Sequence, residues 1–206
     1  LCVLAKVEHL RQDKAKGQKW AKKRKNRARS EQSHTFKTPR QTSLFHHNTP
    51  MTLIEERQLS RDLLNFAVDL VETNVKPFYG TDWCKKTKRQ ELMLEDMKYV
   101  VAEVEGRLAG FAAILVDQEP FENDTERLVV YVYEIQVLAE HRSRGIGSLL
   151  MERIVDMARD SECEWIMLTH FKANTKASGF YAKHGFVEDW NSPEDQHYVI
   201  LSRFLQ

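Results

Sequence analysis

Apolar residues recur at steps of three and four over residues 53–74, and this spacing predicts an amphipathic helix. Leu59, Leu63 and Phe66 belong to its apolar face. Pro77 is expected to end this helix, because proline lacks the N–H that a helix needs. Residues 85–97 show helical spacing again with more charge, so a second helix is predicted there.

β-branched and aromatic residues mark the strands that follow. Residues 98–104 and 107–117 flank the two-residue turn Glu105-Gly106, which predicts a compact β-hairpin. The acidic stretch 120–127 predicts a wide loop. Residues 128–137 then form the strongest strand of the chain, in which Glu134 and Gln136 are the only fully polar residues.

Helix and strand patterns alternate over the rest of the chain. An apolar helix pattern is predicted to begin just after Gly147. The later elements are, in order, a strand at 165–169, a helix at 174–184, a short strand at 185–188 and a last strand at 198–202. This alternation around one long central strand predicts an α+β (mixed α/β) domain with a mixed sheet.

The charge of the chain is divided unevenly between two segments. Residues 1–40 hold 13 Lys and Arg against three acidic residues, although the whole chain of 206 residues has a net charge of only +1. We therefore expect a basic arm and linker at residues 1–50 and one acidic globular domain at residues 51–206. The acidic domain favours a cationic ligand, and the basic arm favours a polyanion.

The basic arm leaves several interpretations open. Residues 14–29 contain nine basic residues and no acidic one, which is typical of a solvated tail, of a nuclear import signal or of a segment that contacts RNA or the ribosome. The apolar runs are too short to span a bilayer, so no membrane association is expected. Cys2, Cys84 and Cys163 are odd in number and widely spaced, which indicates reduced thiols in the cytoplasm or nucleus.

A glycine-containing loop that is suited to ligand binding follows the long strand. In Arg142-x-x-Gly145-x-Gly147 the glycines allow the backbone to approach a ligand closely, and the following helix start presents unpaired N–H groups to phosphate oxygens. The loop is not a P-loop, and it is a poor dinucleotide fingerprint because the third glycine is absent. Eight histidines are present without a metal-ligand spacing, so no metal is expected.

Two motifs resemble the Gcn5-related N-acetyltransferase (GNAT) superfamily. The first is the loop at residues 142–147, which matches R/Q-x-x-G-x-G/A after a central strand, and the second is the segment 174–186, which matches N-…-A-x-x-F-Y-x-K-x-G-F. The resemblance covers about residues 55–203. It implies a central, mixed and mostly antiparallel sheet flanked by helices, and acetyl-CoA as cosubstrate.

Within that superfamily the chain is similar to the histone-specific N-alpha-acetyltransferase D group. The similarity rests on residues 131–137, on Arg-Ser-Arg-Gly-Ile-Gly at 142–147, on residues 167–174, on Asn74 and on the basic arm. It implies transfer of an acetyl group to the N-terminal Ser of histone 4 and histone 2A peptides. We expect the protein in the cytoplasm and nucleus, and a monomer is the default expectation. Their Ser-Gly-Arg-Gly start offers an α-amine and an arginine to the acidic domain.

The resemblance also implies a role for individual residues. Glu134 would be the general base, with Tyr133 or Tyr181 as candidate acids. The cofactor would contact Ile135, Gln136, Val137, Arg142, Ser143, Arg144, Gly145, Ile146, Gly147, Ser148 and Asn174. The peptide would contact Tyr79, Trp83, Asp117, Glu119, Tyr131, Tyr133, Thr169 and Tyr198.

The residues themselves leave simpler alternatives open. Glu134 is consistent with a buried, paired structural carboxylate, and Tyr131 and Tyr133 with core aromatics. Asp117 and Glu119 are consistent with solvated loop acids. At the level of function, the alternatives are a lysine or small-amine acetyltransferase on the same fold, and an inactive adaptor that binds the ribosome or nucleic acid.

Overall fold

The computed structural model describes residues 41–46, 49–121 and 125–206, which form eight strands and four helices. In chain order these are β1 (Gln41–His46), β2 (Thr49–Glu56), α1 (Arg61–Tyr79), α2 (Lys85–Glu91), β3 (Lys98–Val104), β4 (Arg107–Phe121), β5 (Thr125–Val137), α3 (Ile146–Asp160), β6 (Trp165–Phe171), α4 (Thr175–Lys183), β7 (Val187–Glu188) and β8 (Tyr198–Phe204).

All eight described strands belong to one sheet, in the order β1-β2-β3-β4-β5-β6-β8-β7. Strands β5 and β6 run parallel, and every other neighbouring pair in the described sheet is antiparallel. A mixed, mostly antiparallel sheet flanked by helices confirms the predicted fold class. Within the described residues, no helix is both long and apolar enough to cross a membrane.

Each face of the sheet carries its own hydrophobic core. On one face, α1 packs Ala67, Val68 and Val71 against the sheet. On the other face, α3 contributes a cluster that includes Leu150 and Ile154. Both faces are therefore covered near the middle strands, which explains the continuous run of apolar and aromatic residues at 128–133 of β5.

The helix predicted at residues 53–74 is wrong in its first part. Residues Thr49–Glu56 form strand β2, in which Met51, Leu53 and Glu55 are buried and the residues that follow each of them are half-buried. This alternation fits a strand that pairs with β3. Helix α1 begins later, after Ser60, whose Oγ accepts a hydrogen bond of 3.2 Å from the Leu63 N–H.

Other element boundaries also differ from the sequence prediction. Helix α1 continues past Pro77 to Tyr79, and α2 ends at Glu91 instead of residue 97. Strands β4 and β5 extend into the region predicted as a wide loop. Residues 41–46 form an edge strand where a linker is predicted. The basic arm at residues 1–40 lies outside the described residues, so its boundary with the domain stays a prediction.

The predicted hairpin between β3 and β4 is confirmed. Glu105 and Gly106 adopt positive φ angles of 51° and 73°. A two-residue turn with positive φ at both positions matches the right-handed twist of its strands.

The parallel pair of β5 and β6 is short, and this opens the sheet. Residues 129–132 of β5 pair with residues 165–168 of β6, whereas β5 continues to Val137 and β6 to Phe171. Beyond Val132 and Leu168 the two strands part, and a narrow cleft lies between them.

Candidate active site

A bulge in β5 determines which side chains face this cleft. Ala113 of β4 lies opposite Glu134, but the next residue, Ile114, lies opposite Val132, so Tyr133 is an extra residue in β5. An extra residue interrupts the alternation of side chains along a strand. Tyr133 and Glu134 therefore point to the same face, the one covered by α1.

Glu134 is the carboxylate at the centre of the cleft. Its side chain is 7% exposed. Its Oε1 accepts a hydrogen bond of 2.7 Å from Lys88 Nζ, and its Oε2 accepts one of 2.8 Å from Gln136 Nε2. A buried carboxylate with a donor on each oxygen is held in one orientation, as a base that must act at a fixed point requires.

Lys88 and Glu91, both in α2, complete a buried ionic cluster that the sequence analysis missed. Lys88 Nζ lies 3.0 Å from Glu91 Oε2, and both residues are almost fully buried. The cluster with Glu134 holds two carboxylates and one ammonium group, so its formal charge is −1. A charged residue in a short polar helix gives no sequence signal for burial, so no pattern could have found this pair.

Tyr79 and Trp83 form an aromatic wall beside this cluster. Their ring centroids are 5.2 Å apart, and Lys88 Nζ lies 5.8 Å from the centre of the Tyr79 ring. Burial raises the pKa of Tyr79, so its phenol stays protonated at neutral pH. The indole N–H of Trp83 donates to Glu72 Oε1 at 3.1 Å.

Glu72 itself is fixed by two lysines. Its Oε2 lies 2.7 Å from Lys85 Nζ, and its Oε1 lies 3.1 Å from Lys76 Nζ. Hydrogen bonds from Lys85 and Lys76 lower the pKa of Glu72 to about 2. Glu72 is therefore ionised over the working pH range and holds the Trp83 indole in place.

Four further predicted residues lie close to this wall. The rings of Tyr131 and Tyr133 are 5.6 Å apart, and the Tyr131 hydroxyl lies 2.6 Å from Thr169 Oγ1. Tyr198 is buried opposite Phe171, which itself packs against the Tyr79 ring at 5.1 Å. The tyrosines are thus core residues and neighbours of the cleft at once.

Tyr181 approaches the cleft from α4, on the opposite side of the sheet. Burial raises the pKa of Tyr181, and the negative charge of Glu134 raises it further. Its phenol therefore stays protonated at neutral pH and can donate a proton. The ring lies 5.5 Å from that of His170, whose pKa is lowered by burial.

The loop after β5 has the geometry of an anion site. Ser143 and Gly145 have φ angles of 59° and 82°, and the helix begins at Ile146, two residues earlier than predicted. Gly145 is the N-cap residue, and the first turn of α3 contains no acidic side chain. Such a helix start presents N–H groups and a positive dipole end to phosphate oxygens.

Gly147 lies inside the first turn of α3 and does not have a positive φ. A Cβ atom at this position would lie 3.2 Å from Cε2 of the Phe180 ring. The second glycine of the motif therefore permits close packing between α3 and α4, while the first one permits the turn.

Arg142 and Asn74 connect this loop to the base. The Arg142 guanidinium donates to Asn74 Oδ1, and Arg142 Nε lies 3.3 Å from the Val137 carbonyl oxygen. Asn74 Nδ2 donates to Gln136 Oε1 at 3.0 Å, and Gln136 donates in turn to Glu134. A continuous chain of hydrogen bonds thus runs from the anion loop to the carboxylate.

Two predicted cofactor contacts have structural partners in this chain. Asn174 is the N-cap of α4, and its side chain accepts a hydrogen bond from the Ala177 N–H at 3.4 Å. Ser148 Oγ lies 3.1 Å from His184 Nε2. Asn174 also lines the cleft, so its cap fixes where the side chain lies.

The structure brings one part of the predicted site together and leaves another part apart. The predicted residues that line the cleft are Tyr79, Tyr133, Glu134, Ile135, Gln136, Thr169, Asn174 and Tyr181. Asp117 and Glu119 lie on β4 opposite Val129 and Arg127, at least five residues along the sheet from Glu134. The loop after β5, the opened strands and the buried Glu134 carboxylate form an arrangement that can hold a phosphate-bearing ligand near a proton acceptor.

Comparison with known proteins identifies the class of protein. The model of the acetyltransferase (GNAT) family matches residues 68–186, more than half of the chain. The chain belongs to this family, whose members transfer an acetyl group from acetyl-CoA to an amine.

Relatives of known sequence fall in the same class. Glucosamine 6-phosphate N-acetyltransferase 1 of rice (Oryza sativa) is 37% identical over 83 residues, which are 40% of this chain and 47% of the relative. An uncharacterised N-acetyltransferase of Archaeoglobus fulgidus is 29% identical over 68% of this chain and 95% of its own length. N-alpha-acetyltransferase 40 of Saccharomyces cerevisiae is 30% identical over 53% of this chain and 43% of its own length. The chain thus spans about half the length of the rice and yeast relatives.

Solved structures share the fold. Arabidopsis thaliana NAA60, in complex with a bisubstrate analogue, has a TM-score of 0.55 and 16% identity, and the match covers 75% of this chain and 99% of that one. PaiA N-acetyltransferase of Thermoplasma acidophilum, in complex with coenzyme A, has a TM-score of 0.55 and 15% identity, and the match covers 74% and 98% of the two chains.

Proposed function

We propose that the protein is an N-alpha-acetyltransferase that acetylates the N-terminal Ser of histone 4 and histone 2A, which begin Ser-Gly-Arg-Gly. The observation that carries this proposal is the buried Glu134 carboxylate, held beside the aromatic side chains of Tyr79 and Tyr133 in the opening between β5 and β6. The similarity to yeast N-alpha-acetyltransferase 40 supports the choice of an α-amine as acceptor.

The reaction is a direct transfer between two bound substrates. The neutral α-amine attacks the thioester carbon of acetyl-CoA, so a C–N bond forms and the C–S bond breaks. Glu134 takes the proton that the nitrogen releases, through an ordered water, and the departing thiolate is protonated by Tyr181, Tyr133 or water. The position of Tyr181 suits this role, because its side chain lines the cleft together with Glu134.

An α-amine needs little help from a base. Its pKa of about 7.7–8.0 leaves on the order of a tenth of the molecules neutral at pH 7, whereas a lysine amine with a pKa of about 10.4 is neutral in fewer than one in a thousand. One carboxylate with a water is therefore sufficient for an α-amine. Most of the acceleration then comes from holding the amine and the thioester together.

We place acetyl-CoA between the loop after β5 and the end of strand β5. In this proposal the pyrophosphate binds at residues 142–148, where Arg142 and Arg144 add cationic donors to the start of α3. The pantetheine arm would follow the end of β5 along Ile135, Gln136 and Val137. Asn174 would flank the thioester end.

Peptide recognition is assigned to the acidic and aromatic side chains on the α1 face. Asp117 and Glu119 would pair with the arginine at the third position of the histone peptide, since a carboxylate binds a guanidinium with two parallel hydrogen bonds. Trp83, Tyr131, Thr169 and Tyr198 would surround the small Ser-Gly start. We place the protein in the cytoplasm and nucleus, where histone 4 and histone 2A occur. The basic arm would contact the ribosome or nucleic acid.

Mass spectrometry tests the proposed function directly. The protein is incubated with acetyl-CoA and a Ser-Gly-Arg-Gly-Lys peptide, and fragmentation locates the added acetyl group. We expect it on the N-terminal Ser, and we expect no product from the same peptide with a blocked N-terminus. Acetylation of the lysine in the blocked peptide would overturn the proposal.

The similarity to the rice enzyme favours one alternative, a small-amine acetyltransferase. Glucosamine 6-phosphate is therefore offered in a parallel reaction. Turnover of this sugar at a higher kcat/KM than the peptide would replace the proposed function with that of a small-amine acetyltransferase.

A further inference from the structure

Lys88 is a buried cation at the candidate base, and the reaction described above does not use it. Its side chain is 3% exposed, and its Nζ contacts Glu134 Oε1 at 2.7 Å and Glu91 Oε2 at 3.0 Å. Helix α2, which carries it, has seven residues and a polar sequence, KKTKRQE. Lys85 and Lys86 of this helix are exposed and Arg89 is half-buried, so full burial among its four cations is specific to Lys88.

A buried ammonium group is costly unless its charge is compensated. Burial alone would lower the pKa of Lys88, but the charges of Glu134 and Glu91 outweigh this effect and hold that pKa well above its ordinary value. Lys88 is therefore charged throughout the pH range in which the protein works, and it cannot act as a base or nucleophile at neutral pH.

Stability alone does not account for this arrangement. Apolar side chains of similar volume pack at least as favourably as a buried ion pair, so a buried pair is weak evidence of a stabilising role. Met93 and Leu94, which follow the helix, are exposed, while Lys88 is buried. What Lys88 contributes is a directed donor to one oxygen of Glu134.

We propose that Lys88 is a positioning residue, which holds the Glu134 carboxylate in the orientation for proton transfer. Gln136 occupies the other oxygen, so the two donors together fix both rotation and tilt of the carboxylate. Glu91 anchors Lys88 from the side of α2. This inference rests on the proposed function, because it assigns Lys88 a role through the base of that reaction.

A double-mutant cycle tests this role. We expect K88M to lower kcat by 10- to 100-fold, while the Kd of acetyl-CoA measured by calorimetry and the KM of the peptide change less than twofold. In an E134Q background the same substitution should change kcat less than twofold, because the residue on which Lys88 acts is already lost. K88R, which restores a donor, should recover at least a third of the wild-type kcat.

Two outcomes would overturn the proposal. One is a K88M enzyme that keeps kcat within twofold of wild type. The other is a further tenfold loss on adding K88M to E134Q, which would show that Lys88 acts independently of the base. The matched control is R153M, since Arg153 forms a similarly buried pair with Glu55 at 2.7 Å, away from the cleft. Its kcat should stay within twofold of wild type.

A second measurement does not depend on K88M folding or on any substrate. The ammonium resonances of the lysines are recorded by ¹H–¹⁵N NMR, in which a buried, hydrogen-bonded ammonium exchanges slowly with water. One slowly exchanging signal should shift in E134Q and stay unchanged in R153M. If no such signal moves in E134Q, the pairing is absent and the proposal is wrong. If the signal shifts in E134Q but the wild-type protein does not acetylate the peptide, the result refutes the proposed function and leaves the Lys88–Glu134 pairing intact.

Discussion

Glu134 shows how far single residues can be interpreted from the sequence. A lone Glu in an apolar strand indicates either a site or a buried, paired carboxylate, because burial of an unpaired carboxylate is costly, and the structure pairs Glu134 with Lys88. Strict alternation, however, would put Glu134 on the opposite face from Tyr131 and Tyr133. The bulge at Tyr133 brings all three to one face, and it depends on how β4 pairs with β5, which the residues of β5 do not encode locally.

The variant E134Q tests whether Glu134 is the general base. The amide keeps the shape of the side chain but cannot accept a proton, so kcat should fall by about 100-fold or more while the Kd of acetyl-CoA stays within about twofold. Steady-state kinetics and calorimetry check this, with E152Q at an exposed position of α3 as the control. Unchanged turnover would remove Glu134 from the role of base.

Asp117 and Glu119 carry a prediction about substrate choice. If they pair with the third-position arginine, the double variant D117N/E119Q should raise the peptide KM by about tenfold or more, because charged hydrogen bonds are worth about 1.5–3 kcal/mol. A peptide with Ala at the third position should be bound equally by both proteins. Equal loss of affinity from the Arg-to-Ala peptide change in parent and variant would show that the pairing is misassigned.

Elements were predicted best where one pattern was strong over a whole segment. The hairpin of β3 and β4 and the central strand β5 follow from β-branched runs and a turn signal, and they are confirmed. Strand β2 was not predicted, because Met51, Leu53 and Ile54 also fit the helical spacing of the residues after them. Only the pairing of β2 with β3 decides between a strand and a helix here, and β3 is too distant in sequence for a local pattern to show this pairing.

Gly110 gives a prediction for the contact between β4 and β5. A Cβ atom there would lie 2.6 Å from the Gln136 carbonyl oxygen, too close for any real contact. G110A should therefore destabilise the fold by about 1–3 kcal/mol, a drop in Tm of roughly 2–10 °C. It should also weaken acetyl-CoA binding, because it displaces the end of β5.

The matched variant is G179A in helix α4, where an added Cβ meets nothing within 4 Å. Alanine favours a helix over glycine by about 1 kcal/mol, so the Tm of G179A should equal or exceed that of wild type. Thermal unfolding of both variants checks the pair. A Tm for G110A at or above that of G179A would contradict the close approach.

At the scale of the whole molecule, the fold class followed from the sequence, but the connection between its parts did not. Two motifs located the anion loop and the segment around α4. The hydrogen bonds from Arg142 through Asn74 and Gln136 to Glu134 join three elements, and no spacing in the sequence records such contacts. Long-range side-chain networks depend on how distant elements pack together, so the sequence does not predict this part of the site.

Asn74 tests this connection. N74A removes the bridge, so Arg142 loses a fixed partner and Gln136 is free to turn, and we expect the KM of acetyl-CoA to rise and kcat to fall by about fivefold each. Steady-state kinetics measures both. The control is N65A on the same helix, where Asn65 accepts a hydrogen bond of 2.9 Å from Arg89 outside the network. Identical kinetics in N74A and N65A would show that the bridge has no role in turnover.

The formal charge of −1 on the cluster formed by Lys88, Glu91 and Glu134 has a consequence for the end of each catalytic cycle. An incoming amino terminus is a cation in its common form, and it is drawn towards this charge. Once acetylated, the same terminus is neutral and permanently loses that attraction. Under the proposed reaction, acetylation removes the positive charge that attracted the peptide to the cluster, so the acetylated peptide dissociates readily. We therefore expect the acetylated product to inhibit the enzyme only weakly.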